Sequence, residues 1–428
     1  MVKVLNVGLL GLGTVGSGVP LLIKENQKKI EDITGTRINI KTAFVRDIES
    51  KQTIADKFNL NLTTSFTDIL EDEEIQVIVE VMGGTTLAKE YIISALKNKK
   101  HVVTANKDLI AIHGLELVEI AKENNCFLYY EASVAGGIPI LRTISNSMSA
   151  DEITSISGIV NGTTNFILTQ MSQKGLSYDE ALQEATRLGY AESDPTNDVE
   201  GIDAAYKMVI LTRFSFGMDI DPLKIERKGI TTVSADDIKT ADSLGYSIKL
   251  LGFSEKIKEG IHVEVSPVLV PKTHPLSTVE NEMNAIFINS FGVGESMYYG
   301  PGAGAKPTAT SVVSDLITIA KNVSLGISGL SFNTFNNKTT LAKEENVISK
   351  HYFSLRVTDE PGVFKRLAEI MLAENVSLEQ IKQETEKTAT ARIMIITHEA
   401  SLDKIKRIET KLGDETGFEV LSRFKVLN

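Results

Sequence analysis

Hydrophobic and polar positions alternate in blocks along the first 130 residues of the chain. Short apolar runs rich in Val, Leu and Ile occupy residues 3–10, 38–45, 75–81, 101–104 and 127–130. Between them lie stretches with apolar positions at helical spacing, through about residue 29 and over 87–98 and 114–124. Short strands that alternate with helices of about ten residues predict a doubly wound parallel sheet with helices on both faces.

The pattern changes after residue 150. Strands are predicted over residues 152–160, 261–270 and 284–291. Helices are predicted over residues 178–189, where Ser177 and Glu180 have capping-box spacing, over 198–216, and over 314–326. This mixture predicts a second domain of the α+β class, with the helix at 314–326 returning to the first domain.

A polar stretch at residues 333–345 indicates a linker to a third domain. After it, strands are predicted over residues 352–357, 378–384, 389–397 and 418–424, and helices over 364–374 and 402–411. The order βαββαβ predicts a ferredoxin-like α/β sandwich. The expected boundaries are therefore 1–130 with about 300–330, 131–300, and 350–428.

Charge and cysteine content narrow the function classes. The 428 residues hold 45 Lys and Arg against 56 Asp and Glu, a net charge of −11, which argues against nucleic acid or an anionic membrane as a partner. The single Cys126 cannot form an intrachain disulfide, which is typical of a reducing, cytoplasmic location. The uncharged run at residues 4–23 is long enough for a membrane or signal segment, but its five glycines and one proline argue against both.

A glycine-rich turn follows the first predicted strand and opens a helix. Gly11 permits the tight turn, Gly13 lets a pyrophosphate approach the backbone, and Gly16 allows close packing of helix and strand. Thr14 and Val15 lie in the same turn, at the helix N-terminus that attracts phosphate. The pattern predicts dinucleotide binding; an ordinary glycine-rich turn is the alternative.

The end of the second strand bears on which dinucleotide is bound. Arg46 and Asp47 follow Val45 there. An acidic residue would accept from the ribose 2′-hydroxyl of NAD, whereas Arg46 can pair with the 2′-phosphate of NADP. We favour NADP, with NAD tolerated; an arginine exposed to solvent with no cofactor role is the alternative.

An acidic stretch that ends in a lysine is the most specific feature of the chain. Asp203 and Lys207 are four residues apart and face one side of a helix. An exposed ion pair is the simple interpretation, but the apolar run at 208–211 predicts a buried helix. Buried charges need partners or a ligand, and a zwitterionic amino acid would supply both signs.

The region from Ala185 to Lys207 (ATRLGYAESDPTNDVEGIDAAYK) resembles the signature of homoserine dehydrogenases. The resemblance extends over roughly residues 1–330 through GLGTVG, TANK, EASVAGGIP, NGTTN and GPGAGAKPTA. The C-terminal part looks like an ACT domain, a ligand-sensing module of many enzymes of amino-acid biosynthesis.

The resemblance implies reduction of L-aspartate 4-semialdehyde to L-homoserine, and the reverse, in threonine, methionine and isoleucine biosynthesis. Its implied catalytic residues are Lys207, Lys107 and Asp203, with Lys207 as first choice for the acid/base and Lys107 as second. A lysine ammonium can give the alkoxide its proton. The implied substrate-binding residues are Glu192, Asp198, Gly162 and Thr163.

The resemblance also implies residues that hold cofactors. Beside Gly11, Gly13, Thr14, Val15, Gly16 and Arg46, the expected nicotinamide-cofactor contacts are Thr104, Lys107, Gly302 and Ala303. A monovalent cation, expected to be sodium, would bind mainly backbone carbonyls at Glu131, Val134, Gly136 and Ile138. The three domains are then a dinucleotide-binding Rossmann domain, a catalytic and dimerisation domain, and a regulatory domain.

Three points stay open at this level. Asp108 departs from the small or apolar residue expected after Lys107 and puts a second charge next to that lysine. Aspartate-semialdehyde dehydrogenase is the enzymatic alternative, but it needs a nucleophilic thiol, and Cys126 is expected to be buried. A non-catalytic amino-acid sensor is the alternative from another class, but such a sensor would not need both Lys107 and Lys207.

The C-terminal loop at residues 359–363 (DEPGV) resembles the ACT effector loop. Threonine is the expected effector, with a purely dimerising domain as the alternative. A homodimer or homotetramer is expected.

Overall fold

The computed structural model describes residues 3–385 and 389–427, which form two compact units. The first unit comprises the chain up to Glu152, then Val209–Lys224 and Tyr298–Asn336. The second comprises Ile153–Met208, Ile225–Met297 and the chain from Asn337 onward.

The first unit contains a parallel sheet. Its strands are β1 (Lys3–Leu10), β2 (Thr36–Phe44), β3 (Asn61–Thr63), β4 (Ile75–Glu80), β5 (His101–Thr104) and β6 (Leu128–Tyr129). The order β3-β2-β1-β4-β5-β6, all neighbours parallel, confirms the predicted doubly wound sheet. The helices of this part are α1 (Thr14–Thr34), α2 (Gln52–Phe58), α3 (Phe66–Leu70), α4 (Thr86–Lys97), α5 (Lys107–Glu123) and α6 (Ile140–Arg142).

The middle of the chain alternates helices and longer strands. Its elements are β7 (Ile153–Ile159), α7 (Gly162–Lys174), α8 (Tyr178–Leu188), α9 (Thr196–Val199), α10 (Ile202–Phe216), β8 (Glu226–Arg227), α11 (Ala235–Ser243), β9 (Tyr246–Ile257), β10 (Gly260–Pro271), β11 (Met283–Ser290), β12 (Gly294–Pro301) and α12 (Ala305–Ser324). The helix α12 packs on α1 in the first unit, where a side chain at Gly18 would lie 2.8 Å from the carbonyl oxygen of Ala305.

The C-terminal part has the predicted βαββαβ order. Its elements are β13 (Ile348–Thr358), α13 (Val363–Ala373), β14 (Leu378–Thr385), β15 (Thr390–Thr397), β16 (Ala400–Ser401), α14 (Leu402–Asp414) and β17 (Phe418–Val426). These strands and those of the middle region form one sheet, in the order β12-β11-β7-β9-β10-β17-β13-β15-β14. The junction is the short parallel pairing of β10 with β17, Val268 opposite Lys425 and Leu269 opposite Val426.

Several elements of the middle region lie where none was predicted, namely α7, β8, α11, β9 and β12. The helix α7 is buried continuously from Thr163 to Met171, so it lacks the polar face that marks a helix in a sequence. Two predicted helices also begin earlier than expected, α5 at Lys107 and α12 at Ala305.

The predicted helix at 198–216 is wrong as a single element. It is divided because Gly201 takes a left-handed φ of 74°. The predicted burial of residues 208–211 is confirmed. Across residues 3–385 and 389–427, no helix has both the length and the apolar character needed to cross a membrane.

Candidate active site

The glycine turn after β1 has the geometry that its sequence predicts. Gly11 has a φ of 100°, which only glycine adopts without strain. A side chain at Gly16 would lie 2.1 Å from the carbonyl oxygen of Gly11, so the turn and the helix require its absence. At Gly13, nothing lies within 4 Å of where a Cβ would be, and no side chain caps α1 there. The space beside Gly13 at the start of α1 is therefore open, and no side chain of the described chain caps the helix there.

A cleft of about 690 Å³ opens at this turn. The residues that line it are 11–13, 44–47, 50–51 and 81–87. Arg46, Ser50 and Lys51 form the part of the wall that follows β2. The side chain of Asp47 accepts a hydrogen bond from the N–H of Glu49, at 3.0 Å, so it is used within its own loop. Of the residues predicted to hold the cofactor, Gly11, Gly13 and Arg46 line the cleft, and Thr14, Val15 and Gly16 follow in α1.

The segment after β5 is arranged around Thr104 and Asn106. Thr104 is fully buried, and its hydroxyl donates to the carboxylate of Glu80 at 2.6 Å. Asn106 caps α5 by accepting from the N–H of Leu109. Lys107 begins that helix, with its ammonium 3.5 Å from the carboxylate of Asp108. The residue that departs from the family pattern is thus paired with the lysine beside it.

In the second unit, the end of β7 meets the start of α10. Lys207 donates to the carboxylate of Asp203 at 2.7 Å and to the carbonyl oxygen of Val160 at 2.6 Å. The side chain of Lys207 is only 12% exposed and that of Asp203 only 10%. The predicted pair is therefore formed and largely removed from solvent.

Asn161 connects this pair to a second carboxylate. Its amide donates to Asp198 at 2.7 Å and to Asp203 at 2.9 Å, while its carbonyl oxygen accepts from the N–H of Thr164 and caps α7. Burial raises the pKa of Asp198, and the amide of Asn161 opposes that shift. Asn161 was not identified from the sequence, although it is the first residue of the NGTTN motif.

The two loop residues predicted to touch substrate contact other parts of the chain. A Cβ at Gly162 would lie 2.7 Å from the carbonyl oxygen of Glu282, so this position admits only glycine without a shift of the backbone. The hydroxyl of Thr163 donates to the carbonyl oxygen of Tyr190 at 2.7 Å. Glu192, two residues farther along, is exposed.

Two further residues bind the backbone at residues 279–283, next to this loop, and neither was identified from the sequence. The amide of Asn165 donates to the carbonyl oxygens of Val279, Asn281 and Met283. The ammonium of Lys249 donates to the oxygen of Val279 at 2.5 Å. Burial lowers the pKa of Lys249 to about 8. The position of Asn165 in NGTTN was an available signal, whereas a lysine within a buried strand gives none.

The loop predicted to hold a cation has an unusual backbone. Ala135 and Gly136 both have positive φ, 51° and 34°, and the oxygen of Gly136 accepts from the hydroxyl of Ser311. The buried carboxylate of Glu131 accepts from the N–H groups of Leu141 and Arg142, and burial raises its pKa to about 7. In the described ranges, no three His, Cys, Asp or Glu side chains are grouped as metal ligands.

Near this loop, Gly302 and Ala303 lie just before Gly304, the N-cap residue of α12. The oxygen of Gly302 lies 2.5 Å from where a Cβ of Gly136 would be. Val134 and Ile138 are buried in the same loop.

The structure thus groups Lys207, Asp203 and Asp198 in the second unit, and places Lys107, Thr104 and the glycine turn in the first. Burial raises the pKa of the Cys126 thiol to about 11. A thiol that stays protonated at neutral pH does not provide the nucleophile of the aldehyde-oxidising alternative.

Comparisons with known proteins agree along the whole chain. A family model described as "Homoserine dehydrogenase, NAD binding domain" matches residues 11–131, and one described as "Homoserine dehydrogenase" matches residues 139–317. The homoserine dehydrogenase of Lactococcus lactis is 46% identical over 423 residues, covering 99% of each chain.

Solved structures give the same result. The crystal structure of a homoserine dehydrogenase from Thiobacillus denitrificans has a TM-score of 0.95 at 35% identity, covering 100% of this chain and 99% of that one. A hyperthermophilic archaeal homoserine dehydrogenase in complex with NADPH covers 76% of this chain and 98% of its own, with a TM-score of 0.63 at 30% identity.

Proposed function

The chain belongs to the homoserine dehydrogenase family, and we propose which of its residues carry out the family's reaction. The enzyme is an NAD(P)-dependent oxidoreductase that interconverts L-aspartate 4-semialdehyde and L-homoserine. The observation that supports the assignment of residues is the largely buried group of Lys207, Asp203, Asn161 and Asp198, because hydrogen bonds already position its charges.

Lys207 is the general acid in this proposal. An ammonium has three N–H donors, and Lys207 uses two of them, toward Asp203 and the oxygen of Val160. The third is directed to the substrate oxygen, to which it gives a proton as that oxygen becomes an alkoxide. Asp203 orients the ammonium through the 2.7 Å hydrogen bond that it accepts. In the direction of oxidation, the same amine accepts the proton of the alcohol.

The carboxylates nearby serve the substrate's ammonium group. Glu192 is exposed at the same stretch of chain, and Asp198 is held by Asn161. We propose that both bind the ammonium, while the backbone at Gly162 and Thr163 contacts the substrate. Lys107 is proposed as the second lysine of the site, where its ion pair with Asp108 limits its movement.

The cleft beside the glycine turn fits a nicotinamide dinucleotide. The open position at Gly13 and the uncapped N–H groups of α1 form a phosphate cradle that a Cβ would obstruct. The bound cofactor supplies the hydride. Thr14, Val15 and Gly16 would lie beneath its phosphates, and the backbone at Thr104, Lys107, Gly302 and Ala303 would complete its surroundings.

We propose a preference for NADP over NAD. Arg46 and Lys51 place two positive charges in the cleft wall after β2, and Asp47 is occupied within its loop. Replacing Arg46 with Ala should lower the ratio of kcat/KM for NADPH to that for NADH about tenfold. An unchanged ratio would contradict the preference.

A monovalent cation, proposed to be sodium, suits the carbonyl groups of Glu131, Val134, Gly136 and Ile138. The two successive positive φ angles at Ala135 and Gly136 turn this backbone sharply, and a carbonyl that accepts one hydrogen bond keeps a second lone pair. Replacing sodium with tetramethylammonium should lower the melting temperature as well as the activity. An unaltered melting temperature would count against this site.

The experiment that tests the assignment follows NADPH absorbance with aspartate semialdehyde. Lys207→Ala and Lys207→Met should lower kcat at least about a hundredfold with KM nearly constant, since the proton donor acts in the transition state. The matched control is Lys258→Ala, an exposed lysine of the same unit. A Lys207 variant with near-normal kcat would refute the role.

The C-terminal module is proposed to be an ACT domain that senses threonine. Its loop between β13 and α13 is exposed, and Arg366 holds Glu360 at 3.0 Å. Inhibition by millimolar L-threonine is expected, and no change would favour a domain that only dimerises. We also propose a homodimer or homotetramer, which sedimentation analysis distinguishes.

A further inference from the structure

Glu80, the last residue of β4, is a fully buried carboxylate with neutral partners. Its Oε1 accepts from the N–H groups of Met82 and Gly83, at 2.9 and 3.1 Å, and its Oε2 accepts from the hydroxyl of Thr104 at 2.6 Å. Burial raises the pKa of Glu80, since a buried charge costs free energy. A hydrophobic residue would suit this strand better unless the carboxylate had another role.

The partners of Glu80 close a ring of hydrogen bonds. The hydroxyl of Thr104 accepts from the N–H of Asn106 at 3.0 Å. The amide of Asn106 donates to the carbonyl oxygen of Gly84 at 2.7 Å. The ring therefore joins the turn after β4 to the segment after β5, and every member lies within the first unit.

Both parts of the ring bear on the proposed site. Met82, Gly83 and Gly84 line the cleft beside the glycine turn. Gly83 and Gly84 have φ values of 74° and 76°. No atom lies within 4 Å of the position that a Cβ would take at either residue, so close packing does not fix the conformation of this turn. Asn106 directly precedes Lys107 and caps the helix that carries it. The carboxylate of Glu80 thus helps to fix both the turn that lines the cleft and the backbone from which the Lys107 side chain projects.

We propose that Glu80 is a positioning residue that holds the cofactor-facing turn at Met82–Gly84 and the start of α5 in one arrangement. This inference rests on the proposed function, because it requires the cofactor to occupy the cleft. Glutamate suits the position because both of its oxygens accept hydrogen bonds. A glutamine would turn an N–H donor either toward the backbone N–H groups or toward Thr104.

The test measures NADPH binding by fluorescence and steady-state kinetics in the full chain. Glu80→Gln should raise the dissociation constant and KM for NADPH about tenfold and lower kcat several-fold, while the preference between NADPH and NADH stays constant. Thr104→Val should do the same, and Thr104→Ser, which keeps the hydroxyl, should restore both parameters. The double variant Glu80→Gln/Thr104→Val should be no worse than the poorer single variant, because both break one ring.

The matched control is Glu90→Gln, an exposed glutamate on the helix that follows the turn, and it should leave all parameters unchanged. Should Glu80→Gln fail to fold, the comparison of Thr104→Val with Thr104→Ser decides the question by itself. A lower melting temperature with KM and kcat within twofold of wild type would overturn the proposal, as would additive losses in the double variant. Wild-type protein that fails to bind NADPH would instead overturn the cofactor assignment on which the proposal depends.

Discussion

The charged contact between β10 and β17 allows a quantitative prediction for the variant Glu264→Gln. Glu264 is 8% exposed, and its carboxylate lies 2.8 Å from the ammonium of Lys425 and 3.1 Å from the ring of His262. The same ammonium lies 4.4 Å from the centre of the Phe253 ring. The substitution keeps the shape of the side chain and removes its charge, so the largely buried ammonium of Lys425 loses the carboxylate that it contacts.

Removing one partner of a buried ion pair costs about 3–5 kcal/mol, because the remaining charge keeps its desolvation penalty. Each kcal/mol shifts the melting temperature by roughly 2–4 °C in a unit of about this size, so the lower figure predicts a loss of roughly 6–12 °C. Thermal unfolding followed by circular dichroism at neutral pH measures it. The double variant Glu264→Gln/Lys425→Met should recover most of the loss, and the exposed Glu295→Gln should show none.

The pH dependence of the loss gives an independent check. Burial by itself would raise the pKa of Glu264, but Lys425 and His262 outweigh it and hold the pKa well below its ordinary value. The ion pair therefore stabilises the folded state above the unfolded pKa of about 4.3, and its contribution falls as the pH drops below that value. The difference between wild type and Glu264→Gln should shrink there. A difference under 2 °C at neutral pH, which is roughly the effect of an exposed pair, or a double variant as unstable as the single one, would refute the reasoning.

Three other predictions concern the second unit. Asn161→Asp replaces the amide that donates to Asp198 and Asp203 with a third carboxylate. The kcat should therefore fall about a hundredfold, while the affinity for NADPH stays unchanged. A variant that keeps its kcat would argue against a role for this hydrogen-bond network. Gly162→Ala should raise the substrate KM about tenfold, because its Cβ would displace the backbone at Glu282; an equal KM would show that the loop yields at little cost. Because the pKa of Lys249 is lowered to about 8, the folded protein binds fewer protons than the unfolded chain between pH 8 and about 10.4, and stability gains with pH there. Lys249→Met should abolish that gain in melting-temperature profiles, and a gain that persists would assign it to another group.

Much of the first unit could be predicted because its signals are local. The strand, glycine turn and helix at Gly11–Gly16 follow from conformational freedom and spacing within a few residues, and the cleft lies where that pattern predicts. The pair of Asp203 and Lys207 was also local, since helical spacing alone brings the two side chains together.

The network around these residues could not be predicted in the same way. Asn161 reaches Asp198 and Asp203 across about forty residues of chain, and Glu80 reaches Thr104 between neighbouring strands. The spacing of hydrophobic and polar residues along the chain does not reveal contacts between residues so far apart in sequence. The helix α7 was missed for a related reason, because it is enclosed on all sides and the amphipathic pattern that reveals a helix requires one face in water.

The union of β10 and β17 in one sheet has a consequence for any shortened version of the enzyme. If the residues from Asn337 onward were deleted, the hydrogen-bonding edge of β10 at Val268 and Leu269 would lose its neighbour. An uncovered edge of this kind recruits strands from other molecules. A trimmed fragment is therefore expected to aggregate more readily than the full chain unless a charged or proline substitution on β10 blocks that edge.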